Sequence, residues 1–226
     1  MGRVFSFVLC GLILSGCADS ETRSIVSSDL SGNRYRRIAV FVENSDPAKP
    51  RVSPSFHANN GALVLFIPAP TGSSTDAEIE QKIVAALGSA GVKASSGPGL
   101  FNEQTLDNKA KASILQKNFD AVLYVTVLTN GFIEEPVAGA YFDGQNVVFQ
   151  TGVVTPLEQL TPRCSAKADA SVWCGVPTFQ AKCDMQDTKT NKVVWSSETI
   201  ASGGSAVVLS RASDQIVAKM RSDGAV

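Results

Sequence analysis

Residues 120–130, DAVLYVTVLTN, constrain the fold of this chain more than any other stretch. The apolar run includes Val122, Tyr124 and Val125, which suits a strand buried on both faces. Such a strand is expected to be central to a sheet. Residues 106–118 read as a rather polar helix with Ala110, Ile114 and Leu115 on one face, and this helix hands directly into the strand. Two shorter runs share the buried-strand pattern: residues 38–42, IAVFV, and 62–67, ALVLFI, the latter stopped by Pro68 and Pro70. Between them, residues 43–61 carry three prolines and the only histidine, His57, and read as a long loop. Thr75 and Glu78 have capping-box spacing, and Ile79, Ile83, Val84 and Leu87 recur at helical spacing until Gly88 or Gly91. Residues 92–95 suit a short strand.

The second half of the chain reads as hairpins followed by a helix. Residues 137–142 and 146–154 flank the turn signal Asp143-Gly144-Gln145. Residues 156–177 are expected to be an irregular loop holding Cys164 and Cys174. Residues 179–186 and 193–201 flank DTKTNK, with Phe179, Ala181, Cys183 and Met185 on one face and Gln180, Lys182 and Asp184 on the other. Residues 206–220 close as a helix. The fold class this order predicts is α+β, a mixed and largely antiparallel sheet with helices packed on it, in one domain over residues 37–222. A hydrophobic content of 44% is enough for its core.

The amino terminus places this domain. Arg3 precedes the uncharged apolar run of residues 4–17, which has the length of a signal peptide and falls short of the roughly 20 residues needed to span a bilayer. The run ends on Leu14-Ser15-Gly16-Cys17, which resembles the lipobox of bacterial lipoproteins. The resemblance implies cleavage after Gly16 and a diacylglycerol, with acyl chains such as palmitate, on the Cys17 sulfur. An ordinary secretory signal with an accidental cysteine is the competing reading. Residues 1–16 are then a signal peptide, and the Ser- and Asp-rich residues 17–36 a flexible tether. In enteric bacteria an Asp directly after the cysteine retains lipoproteins at the inner membrane. Ala18 stands there, with Asp19 one step later, so the expected location is the outer membrane, facing the periplasm. The 20 basic and 21 acidic residues nearly cancel and suggest no nucleic-acid partner.

An oxidising compartment makes the mature cysteines disulfide candidates. Cys164, Cys174 and Cys183 allow three pairings. Cys183 sits on an apolar strand face, where a free thiol is comfortable, whereas Cys164 and Cys174 share one loop; that pair is favoured. It closes a loop worth roughly 3 kcal/mol in the chain-entropy model. A zinc site with His57 lacks CxxC-type spacing, and no metal or cofactor is expected. His57 has no Gly-x-Ser-x-Gly partner motif and reads as a solvated loop residue. Glu134 and Glu135 are adjacent, so on a strand they face opposite ways and read as strand-end charges. Gly97-Pro98-Gly99 and Gly203-Gly204 lack phosphate-loop patterns and read as turns. No enzyme is expected.

Residues 131–160 contain no Lys or Arg and hold Phe132, Ile133, Tyr141, Phe142 and Phe149 among small residues. Three readings stand: aromatics folded back on the domain's own sheet, a protein-binding or self-association surface built on Phe132, Tyr141 and Phe142, or a membrane-inserting hairpin. Residues 137–142 are shorter than the ~9–11 residues of a transmembrane strand.

An opening RIAVF strand, a capped helix ending before Gly91-Val92, a helix leading into DAVLYVTV, and a hairpin carrying Asn191-Lys192-Val193-Val194-Trp195-Ser196 before a last helix together resemble a group of periplasmic proteins. These have an anticodon-binding-like α+β domain: the amino-terminal domain of TolB, the curli secretion lipoprotein and the lipoprotein activators of penicillin-binding proteins. The resemblance covers residues 37–222 as a pattern, and residues 43–67 and 137–160 exceed a minimal domain of that kind. It implies a non-enzymatic protein that binds an envelope partner or self-associates, in an assembly, a regulatory complex or a secretion ring. A small-ligand binder or enzyme remains the alternative, one that a deep pocket with convergent polar groups would mark.

Overall fold

The structure, a computed structural model, describes residues 20–30, 35–44, 74–101, 107–160, 163–204 and 207–226. Among these, β1 (Ser20–Val26), β2 (Arg37–Asn44), β3 (Lys93–Ser96), β4 (Ala121–Phe142), β8 (Ser171–Asp187) and β9 (Val193–Ser202) run in the order β1-β9-β8-β4-β2-β3. The sheet is extended by β5 (Asn146–Phe149), β6 (Val154–Pro156) and β7 (Cys164–Ala166). β2 pairs in parallel with β3 and β4, and every other pairing is antiparallel, giving a mixed α+β architecture. The helices are α1 (Ser74–Ser89), α2 (Asn108–Asn118), α3 (Leu157–Leu160) and α4 (Val208–Ser222).

The two faces of the sheet are covered unequally. Ile38, Val40 and Val42 of β2, Leu123, Val125 and Val127 of β4, and Phe179, Ala181, Cys183 and Met185 of β8 share one buried face. Against it lie Ile79, Ile83 and Leu87 of α1 and Val208, Ala212, Ile216 and Met220 of α4, whose spacing keeps each set on one stripe. Each large side chain fully buried here contributes about 1.5–3 kcal/mol. The other face carries Ala39, Phe41, Val122 and Tyr124, covered by Leu115 and Phe119 at the end of α2. Asp107 caps that helix, accepting from the Ala110 N–H at 2.7 Å. On the β8–β9 half of this second face, Lys182 and Glu198 stand exposed.

Polar bonds latch one end of the body. Asp120, just before β4, accepts from the backbone N–H groups of Arg36 and Arg37 and from the Arg37 guanidinium at 2.7 Å. Tyr35 donates to Asp187 at 2.9 Å, and Thr188 donates to the Phe119 carbonyl at 2.8 Å. At the close of α4, Asp223 accepts from Ser24 of β1 at 2.6 Å, Trp195 of β9 at 2.8 Å and Lys219 at 2.7 Å.

Three sequence expectations are corrected. Ser20–Val26, placed by composition in the 17–36 tether, is an edge strand paired with β9 along its whole length. Its hydroxyls find partners, Thr22 with Thr199 at 2.9 Å and Ser24 with Asp223, so a polar strand survives at the edge. Leu30, Tyr35 and Ala225 are buried as well, which carries the folded unit past both ends of the expected 37–222 span. Residues 156–177, expected to be an irregular loop, include a short helix, β7 and the first seven residues of β8. Cys17, His57, the expected 62–67 strand and the Thr75 side chain of the capping box lie outside the described residues.

Candidate functional site

β4 and β8 are the longest strands, at 22 and 17 residues, and they outrun the body. They stay paired from Ala121–Asp187 to Tyr141–Ser171, but β9 leaves β8 at Thr178 and β2 leaves β4 at Val127. The remainder forms an arm. From Phe179 back to Ser171, at about 3.3 Å per residue, it projects on the order of 25 Å beyond the body. No residue of β4 from Asn130 to Phe142 is fully buried.

The outer part of the arm is built as a platform. β5 pairs with the end of β4, β6 with β5, and β7 with β8. Between Pro136 and Tyr141 the register shifts, because β4 bulges as it passes from β8 to β5. Gly139 takes a φ of +72° in that bulge, and its carbonyl accepts from the Gln150 N–H at 2.7 Å. Asp143 accepts from the N–H groups of Asn146 and Gln145, and these bonds hold its carboxyl below the usual range. Cys164 and Cys174 stand directly opposite each other on β7 and β8 and are joined as a disulfide, the pairing the shared loop favours. Val147 and Val172 are buried beneath this platform.

The arm carries a disproportionate share of exposed apolar surface. Of nine exposed large apolar side chains among the described residues, five are on it: Phe132, Ile133, Tyr141, Val153 and Val154. Tyr141 is 53% exposed and Phe132 57%. Phe142, adjacent to Tyr141, turns the other way and is partly buried. The Arg163 guanidinium lies 5.6 Å from the Phe132 ring centre, and the Lys167 ammonium 5.7 Å from that of Trp173. Lys167 also pairs with Glu134 at 3.0 Å.

The other sequence candidates separate. Glu134 and Glu135 stand in the middle of β4 rather than at a strand end, both exposed. Cys183 is free and fully buried, and burial pushes its thiol up to about 12. Among the described residues no group of three or more His, Cys, Asp or Glu could hold a metal ion. The part of the site that sequence reading missed is residues 171–178. Gly175 and Pro177 disguise the strand there, and Pro177 is tolerated because β9 has already left that stretch of β8. The alternation of Val172, Cys174 and Val176 was the available signal.

No protein-family model matches the chain, and no curated protein matches it. Among solved structures it is similar to the PelC dodecamer from Paraburkholderia phytofirmans, at 13% identity and a TM-score of 0.40 over 92% of this chain and 99% of that one. It is also similar to lipoprotein GNA1162 from Neisseria meningitidis, at 18% identity and 0.39 over 83% and 99%, and to protein XCC0632 from Xanthomonas campestris, at 11% and 0.36 over 83% and 82%. Identities and scores this low transfer neither a fold nor a function to this chain.

Proposed function

We propose that this chain is an outer-membrane-anchored, periplasm-facing lipoprotein that acts through protein–protein contacts, as an assembly or regulatory subunit of a cell-envelope complex, and not as an enzyme. The arm tip carries this reading: Tyr141, Val153 and Val154 stand exposed on a platform pinned by the Cys164–Cys174 disulfide and backed by Val147 and Val172. Contiguous exposed apolar side chains mark interaction surfaces. A tyrosine held on a fixed strand buries much area at little entropy loss when it docks. The Leu14-Ser15-Gly16-Cys17 ending supports the anchor. The partner is another envelope protein or a second copy of this chain.

A photoreactive phenylalanine at position 141, irradiated in intact cells, tests the proposal. A discrete protein adduct that disappears when Val153→Asp is added supports it. A chain that stays uncoupled at 141 while the cells keep its function argues against the tip as the contact surface.

A further inference from the structure

The chain enters β1 at the root of the arm. Ser20 lies opposite Ala201 of β9, Ala201 opposite Phe179 of β8, and Phe179 opposite Asn130 of β4. That row is the level at which β4 and β8 leave the body. From Ser20 to Val26, β1 runs alongside β8 in the same direction, away from the arm, so its first residue, Ser20, is the one nearest the arm. Cys17 is three residues before Ser20. At ~3.6 Å per residue it reaches no further than about 11 Å, which is the level of Val176. β1 lies two positions from β8 and three from β4, about 10 and 14 Å to the side.

That same level holds a belt without charge. Gly131, Phe132 and Ile133 pair with Thr178, Pro177 and Val176. Phe132 and Ile133 are both exposed and, being adjacent on a strand, project from opposite faces of the ribbon. We infer that this root belt, led by Phe132 and Ile133, sits in the interface of the lipid bilayer that holds the Cys17 acyl chains; the inference rests on the lipoprotein reading above. A docked protein covers one face of a ribbon, whereas a ribbon entering a bilayer interface edge-on brings both faces into it. The short reach from Ser20 to the anchor leaves little room for a protein between belt and lipid. Arg163, beside Phe132, puts a guanidinium where headgroup phosphates lie. Glu134 and Glu135 follow the belt directly and bar the ribbon from the hydrocarbon, so it rests in the interface without crossing. The contact is apolar and needs no anionic lipid. The tip, on the order of 20 Å away along the strands, stays available to a protein partner.

The test uses the full lipidated chain in vesicles of phosphatidylcholine and phosphatidylethanolamine that include a doxyl-labelled lipid. An environment-sensitive nitrobenzoxadiazole dye is attached at Ile133→Cys or, as the reference, at Lys189→Cys in the exposed turn at the opposite end of the body. Cys183 is buried and escapes the dye in the folded protein. Metabolic acyl labelling of Cys17 is read in parallel. The expected result is an acylated Cys17 with the dye at 133 quenched about twofold or more relative to 189. Equal emission at the two positions in acylated protein overturns the inference and leaves the anchor standing. An unacylated Cys17 removes the anchor, and the inference with it. If Ile133→Cys does not fold, Phe132→Cys gives the same reading. A photoreactive residue at 132 that couples in cells to a protein rather than to phospholipid also overturns it.

Discussion

Two residues show how closely the body is fitted. The Gly97 N–H donates to the Val40 carbonyl at 2.7 Å, and a Cβ at Gly97 would overlap the Phe41 ring. That ring has nowhere to go: it is 2% exposed, with its centre 5.8 Å from Tyr124's and 6.3 Å from Phe101's. Gly97→Ala should therefore cost about 1–3 kcal/mol, read as a lowered urea midpoint at unchanged slope. Asp223 is the second. Burial pushes its pKa up, but the bonds from Lys219, Ser24 and Trp195 together outweigh burial and hold the carboxyl below its usual range. Asp120 and Asp187 are held low in the same way, burial being outweighed at Asp120 mainly by Arg37 and at Asp187 by Thr190 and Tyr35. A carboxyl whose folded pKa lies below its unfolded one contributes stability above the unfolded value, about 4, and loses it as pH falls through the folded value. Stability should thus hold from pH 6 to pH 5 and fall below about pH 4. Asp223→Asn should cost about 1–3 kcal/mol at neutral pH and flatten part of that fall, measured by denaturant titration across pH.

At the scale of elements, the arm and the body share β4 and β8 but differ in what holds them. The body has one face buried throughout and a second buried over β2 and β4, while the arm has two buried valines and a disulfide. Replacing Cys164 and Cys174 with Ser should remove roughly 3 kcal/mol from the arm in the chain-entropy model. Hydrogen exchange should speed up over β5–β8 residues 146–178 and stay slow in α1, α4 and β2; uniform acceleration would mean that the arm and body open as one. Tyr141→Ala with Phe142→Ala should weaken partner binding or self-association by more than about 1 kcal/mol with folding largely kept, as read by titration against the captured partner. Elements whose apolar residues carry their own period were legible in the sequence: α1, β2, β9 and the buried half of β4. β1 was not, because SETRSIV has no apolar period and its stability comes from β9, Thr199 and Asp223. Residues 171–178 of β8 were hidden by Gly175 and Pro177.

At the scale of the whole molecule, the arm's aromatics could be picked out from the sequence, but their relation to the anchor could not. That relation depends on register, which sets Ser20 level with the root of the arm through two intervening pairings, and register is a property of long-range partners. Among the described residues no helix is long and apolar enough to cross a membrane. In the proposed reading, attachment divides between the Cys17 lipid and the root belt. Acyl chains contribute about 0.8 kcal/mol per buried methylene, and two or three chains hold durably. Fully burying Phe132 and Ile133 contributes about 1.5–3 kcal/mol each, and both are already partly covered. In that proposal the lipid holds the protein, and the belt orients it. Cys17→Ala should move the protein from the outer-membrane fraction to the soluble periplasmic fraction and abolish acyl labelling. Phe132→Asp with Ile133→Asp should remain membrane-bound but lose protection of the arm root from added protease. Fractionation after a high-salt wash separates these outcomes. A Cys17→Ala protein that still sediments with the outer membrane would show that the belt or a protein partner, and not the lipid, is the anchor.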